Sequence, residues 1–342
     1  MASIEYAASY DTSFNGIASM ISMMFLLPSI TLALRIVARY KQKMTFDKDD
    51  VFAILAWFFD IGPTVLGIYG MAIHAFGYST PSDETTLREV RALLWKGLYA
   101  GLLTSICALG CARLSAIFFY RRIFHTGKVD AFDIITRIMI IIVVVWTVGF
   151  CISTTLSCGT NVSGIWAANN TAVCGLYTDE RALTISSSVL DLVVLMLPLH
   201  KIWKLHTSGA RKIAISLVFL LALVGVVSSV IRATMFWVIS NRGAAANLQD
   251  AFRANTRNFF YQLLELGAVT TAINLPSIWY FFRGLSPERV LRSVRSLVSL
   301  RSSSTVSQDE KSTYKQSVIM GATNSGAIPS KRAQHELDLE EQ

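Results

Sequence analysis

An all-α, seven-transmembrane helix bundle is the fold class that this sequence predicts, and three observations predict it. The chain of 342 residues is 53% hydrophobic and 16% charged, with a mean hydropathy of +0.47, which is too apolar for a soluble domain of ordinary composition. Its apolar residues collect in seven long runs; about twenty such residues match the hydrocarbon thickness of a bilayer, whereas a membrane barrel strand needs only about ten with alternating polarity. Its basic residues sit in short loops between the runs rather than on one continuous face. The net charge of +8 therefore points to the lipid bilayer as partner and excludes nucleic acid.

The elements follow in order. The first fourteen residues contain no Lys or Arg and no cleavable signal sequence, so residues 1–15 read as a short extracellular N-terminus. A seven-helix membrane domain over residues 16–283 follows, its first run, Gly16 to Arg39, doubling as a retained signal anchor. The later runs are Val51 to Ala75, Leu94 to Tyr120, Ile134 to Leu156, Ala182 to Trp203, Ile213 to Ser240 and Phe259 to Phe282. Pro28, Pro63, Pro198 and Pro276 fall inside runs one, two, five and seven, where neighbouring helices can satisfy the freed carbonyls. Beyond them, Ser286-Pro287-Glu288 reads as a helix start, and Val290, Leu291, Val294, Leu297 and Val298 share one face. Residues 286–301 are thus expected to form a short amphipathic helix on the anionic inner leaflet. The serine-rich, polar stretch 302–342 predicts a disordered cytoplasmic tail open to phosphorylation.

Orientation follows from the basic residues. With the loop after the fifth run inside, seventeen Lys and Arg lie on the inner side near the membrane and seven on the outer side, so the N-terminus is outside and the C-terminus inside. The outer loop between runs four and five carries two glycosylation sequons, at Asn161 and Asn169, between Cys158 and Cys174. An oxidising exterior favours a Cys158–Cys174 disulfide over two free thiols. Cys107, Cys111 and Cys151 fall within helices and read as small packing residues.

Ionisable residues inside the runs are the candidate site. Counted from the ends of the apolar runs, Asp191, Arg232 and Glu265 fall in the outer half, and Asp60 and Arg113 together in the inner half. Charges at such depth face the bundle interior and pair. One reading makes them structural ion pairs. The other makes Asp191, Arg232 and Glu265 an outward-facing ligand cavity and Asp60–Arg113 an inner lock that alters on activation. Arg35 and Arg39 end the first run, Asp49 and Asp50 open the second, and the loop between is short enough for a cytoplasmic staple.

These residues lie in stretches that resemble a known family. The chain is similar to the fungal rhodopsin-domain family, seven-helix receptor-like integral membrane proteins of filamentous fungi. The likeness rests on Arg35-x-x-x-Arg39 with Asp49-Asp50, on ARLSAIFFYRRIF, on the Cys158, Trp166, Cys174 loop, on LDLVVLMLPLHKIWKL and ARKIAI, and on VVSSVIR and LLELGAVTTAINLPSIW with Glu265 and Pro276. One departure is Arg113, where the family commonly has lysine; the charge survives, with a different hydrogen-bond geometry. The resemblance implies fold and receptor-like class, and no particular ligand.

Function is narrowed by what is missing. A retinal pigment needs a membrane lysine for its Schiff base, and the last run has none. The helix-three ending Phe119-Tyr120-Arg121-Arg122 lacks the acidic-arginine pair of animal receptors, so G-protein coupling is an analogy. The histidines, His74, His125, His200, His206 and His335, sit at helix ends, in loops or in the tail, and cannot converge on one buried metal. The expectation is therefore no enzyme, no metal and no cofactor. It is a plasma-membrane protein sensing an extracellular or membrane-borne ligand and signalling to a cytosolic partner; the alternative is a transporter of a small polar or ionic substrate.

Overall fold

A computed structural model describes residues 10–81, 83–124, 131–159, 176–203, 223–235 and 251–282. A short 3-10 turn at Tyr10–Thr12 precedes α1 (Phe14–Lys41), α2 (Lys48–Ala72), α3 (Glu84–Phe124), α4 (Ala131–Leu156) and α5 (Leu176–Trp203). Then come α6 (Leu223–Met235) and α7 (Ala251–Phe282). No strand occurs among the described residues. The proposed surface helix 286–301, the tail 302–342, both sequons and Cys174 lie outside them.

Polar caps set the helix starts and carry several helices past their apolar runs. Ser13 accepts a hydrogen bond from the Gly16 amide at the start of α1, and Asp47 and Asp50 form a reciprocal capping box on α2. Asp83 accepts from the Thr85 hydroxyl and from the hydroxyl and amide of Thr86, and these donors pull its carboxyl down to about 2. With that cap α3 begins at Glu84 rather than Leu94; α5 begins at Leu176 rather than Ala182, and α7 at Ala251 rather than Phe259.

The bundle is apolar outside, and its interior mixes apolar core clusters with buried polar and charged residues. On α4, Ile134, Ile138, Ile141, Val145, Val148 and Ile152 are exposed, while Asp133, Thr136 and Thr154 are buried. Only 17% of its most apolar window is covered by protein. A soluble fold would reverse that pattern; a helix facing lipid requires it. Helices α1 to α5 are long and apolar enough to cross a membrane. Helix α7 is long but carries buried Gln262, Glu265, Thr270, Thr271, Asn274 and Ser277, because it runs through the interior, packed on α1, α2 and α3.

Helix α3 is the hub, touching α2, α4, α5 and α7, with its most extensive contact on α2. Glycine makes that contact close: Leu66 lies against Gly97 and Gly101, and Gly62 lies against Thr104, so any side chain at these glycines would collide. Small residues spaced four apart are how membrane helices approach without a hydrophobic force between them. Contacts at the helix ends show an up-and-down arrangement. Arg39 meets Asp49, Arg122 meets Asp49 and Arg121 meets Asp133 at one end. At the other end Gly77 donates to Thr256, the Phe252 amide donates to Thr80, and Ser153 donates to Asp179. The first of these, with Arg39, Arg121 and Arg122, is the basic end.

Candidate functional site

Two charged clusters occupy the interior. At the basic end, Arg35 donates to Asp49 at 2.7 Å and to Asp50 at 2.8 Å, and Arg39 to the same carboxylates at 2.6 and 3.2 Å. All four residues are buried. The capping box has already placed both aspartates in the first turn of α2, so the α1 arginines meet them across a short loop. Three partners were not read from the sequence. Arg122 of α3 donates to Asp49 at 3.1 Å, the Ser115 hydroxyl donates to the Asp49 carbonyl, and Arg35 reaches the Ile273 carbonyl of α7 at 2.8 Å. Ile273 lies in the turn of α7 that precedes Pro276, whose missing amide hydrogen leaves the Ala272 carbonyl, four residues back, without its helical donor.

The second cluster lies at mid-bundle. Arg113 of α3 donates through Nε to Asp191 of α5 at 2.8 Å and through Nη2 to the hydroxyl and carbonyl of Ser187. Its guanidinium stacks 4.5 Å from the Trp146 ring centroid, and Trp146 donates to Ser186. The Ser187 hydroxyl donates to Glu265 Oε1 at 3.1 Å, and Arg232 of α6 donates to Glu265 Oε2 at 2.7 Å. The chain Asp191–Arg113–Ser187–Glu265–Arg232 thus joins α3, α5, α6 and α7. This corrects the expected pairing of Asp60 with Arg113: Arg113 takes Asp191, and Asp60 Oδ2 has no hydrogen-bond partner among the described residues. Depth does not separate the two candidates: Asp191 stands about three turns from Trp203, Asp60 about three turns from Lys48 and Arg113 about three turns from Phe124, so all three share a level. The choice is made by packing, which turns Arg113 to Ser187 and Asp191 on α5.

The model of the fungal rhodopsin domain matches residues 34–284, a span that begins beside Arg35 and ends past α7. The chain belongs to the fungal rhodopsin-domain family. No curated protein and no solved structure matches it. Membership and the lipid-facing helices make it an integral membrane protein.

Within this fungal rhodopsin domain a cavity of about 60 Å³ lies between α3, α5 and α7. Arg113 and Asp191 line it, and its other lining residues, among them Ala116, Phe119, Leu195, Ala272 and Ile273, run from that pair toward the basic end. The expected outward-facing cavity on Asp191, Arg232 and Glu265 is corrected accordingly: Asp191 lines the cavity with Arg113, on the side facing the basic end, and Arg232 and Glu265 do not line it. The cavity also touches the staple, since Arg35 bonds the carbonyl of Ile273 and lies 5.9 Å from the Phe119 ring centroid. Cys158 is disulfide-bonded, while Cys107, Cys111 and Cys151 are free thiols, with Cys107 and Cys151 in contact at 3.8 Å.

Proposed function

We propose that this fungal rhodopsin domain is a receptor-like protein of the plasma membrane, with its basic end in the cytosol, that senses a small extracellular or membrane-borne ligand inside the bundle and signals to a cytosolic partner. One observation carries the reading: a single cavity has the Arg113–Asp191 pair at one end and, at the other, the Phe119 and Ile273 contacts of the staple. A ligand that favours one arrangement of the pair would act on residues that hold the cytosolic helix ends, which is what a two-state receptor requires. The seventeen-to-seven bias of basic residues supports the orientation. The reading assigns no catalytic chemistry.

Transport is the second reading, because intramembrane charges also mark substrate and proton paths. The test is a small-molecule screen reading thermal stability of the purified full-length protein beside its Arg113→Gln variant. A compound that stabilises only the parent and changes recruitment of a soluble protein supports the receptor. Accumulation of that compound in proteoliposomes, driven by a pH gradient, would establish transport instead.

A further inference from the structure

We infer that the cavity between α3, α5 and α7 binds the neutral head of an amphipathic molecule that both accepts and donates a hydrogen bond, a primary carboxamide or an un-ionised carboxylic acid. The inference rests on the reading that a ligand lies inside the bundle, and it specifies the chemistry of that ligand.

The polar end of the cavity sets the head group. Arg113 and Asp191 meet through one bond, Nε to Oδ1, rather than as a two-pronged fork. Nη2 is turned away to Ser187. Arg113 Nη1 and Asp191 Oδ2 are both buried, and neither has a partner among the described residues. A buried donor and a buried acceptor left unsatisfied are costly, and a ligand that meets both recovers that cost. An ammonium head has no acceptor for Nη1, and a carboxylate has no hydrogen for Oδ2. Arg113 and Asp191, the charged residues that line the cavity, sum to zero charge, so a charged head would also enter a low-dielectric site without a counter-ion. A primary amide offers its oxygen to Nη1 and an N–H to Oδ2.

The remaining wall sets the body. From Arg113 to Tyr120 the α3 wall runs roughly 10 Å, faced by Val194, Leu195, Val269, Ala272 and Ile273. The volume of about 60 Å³ accommodates roughly four water-sized groups, enough for the head and the first carbons of an aliphatic chain. The matching molecule is a single-chain amphipath with an uncharged head.

Decanamide is a suitable probe, added to the full-length protein in lipid nanodiscs, with N,N-dimethyldecanamide and decyltrimethylammonium as controls. Decanamide is expected to raise the melting temperature by several degrees and the two controls by less than one degree. Ala272→Leu, which narrows the cavity from α7 without touching a charge, should abolish the shift. Ala116→Leu does the same from α3, should the first variant fail to fold. An equal shift from all three amphipaths, or an undiminished decanamide shift in a folded cavity-filling variant, overturns the proposal. No shift with decanamide, alongside a screen compound of other chemistry that depends on Arg113, overturns the head-group assignment and leaves the receptor-like reading standing.

Discussion

The staple and the mid-bundle network are both made of buried arginine and carboxylate, yet they are finished differently. At the staple three arginines surround two aspartates. Asp49 accepts from Arg35, Arg39 and Arg122, and the two oxygens of Asp50 accept from both α1 arginines and from the Asp47 amide. At mid-bundle the arginines and carboxylates are matched in number, each ion pair is held by a single hydrogen bond, and Arg113 Nη1, Asp191 Oδ2 and Arg232 Nη2 lack partners among the described residues. A cluster with every acceptor filled holds helices in one place. A cluster with spare donors and acceptors can re-pair into a second arrangement. The contrast makes the basic end the more rigid of the two clusters and the centre the more adaptable.

The largest effect should come from breaking the staple. Asp49→Asn leaves three arginines around one carboxylate in a buried setting, and removing one partner of a buried ion pair costs about 3–5 kcal/mol. Asp191→Asn removes a partner too, but Arg113 keeps Ser187 and the face of Trp146, so its cost should be smaller. Thermal melts of both variants in the same detergent, with folded yield by size exclusion, rank them. If Asp191→Asn proves as damaging as Asp49→Asn, the division into rigid and adaptable clusters is wrong.

Much of this organisation was legible in the sequence, and the misses have a common physical origin. Run length and loop charge gave the helical class, and spacing alone brought Arg35 and Arg39 to Asp49 and Asp50, because a short loop leaves little freedom. The prolines at 28, 63, 198 and 276 do lie inside helices. Depth was misread because hydropathy marks where a helix meets lipid, not where it starts, and the polar turns before Leu94 and Ala182 lengthen α3 and α5. That error kept Asp191 off the level of Arg113, and the choice between Asp191 and Asp60, which share that level, is made by packing. Which face of a helix meets which neighbour also depends on three-dimensional packing, so the part of Ser187 between Arg113 and Glu265 carries no sequence signal. Arg122 was within reach of inference: it sits in ARLSAIFFYRRIF at the exit of α3, where the α1–α2 loop also emerges. Gly97 and Gly101, spaced four apart, were a readable packing motif that hydropathy alone passes over.

A smaller effect should come from Ser187→Ala, which removes the hydroxyl standing between the two mid-bundle pairs. The loss of a neutral hydrogen-bonding group costs about 1 kcal/mol in stability, yet its effect on coupling should be clear. A double-mutant cycle between Asp191→Asn and Glu265→Gln should give an interaction of at least about 0.5 kcal/mol in the parent and less in the Ser187→Ala background. An interaction energy unchanged by the serine would mean that the two pairs communicate through the backbone or not at all, and the centre would be two separate bonds instead of one network.

The smallest effect is expected at Asp60, which tests the comparison from outside both clusters. It is buried in α2, and its Oδ2 has no hydrogen-bond partner among the described residues. The neutral amide of Asp60→Asn has nearly the same shape and no ionised form to desolvate. Where Asp49 has arginines to leave stranded, Asp60 has none among the described residues, so the melting temperature should stay level or rise, with a change of at most about 1 kcal/mol. A loss approaching that of Asp191→Asn would show that a buried carboxylate in this bundle contributes to stability without an arginine beside it. Pairing would then not be what separates the staple and the mid-bundle network from the rest of the interior.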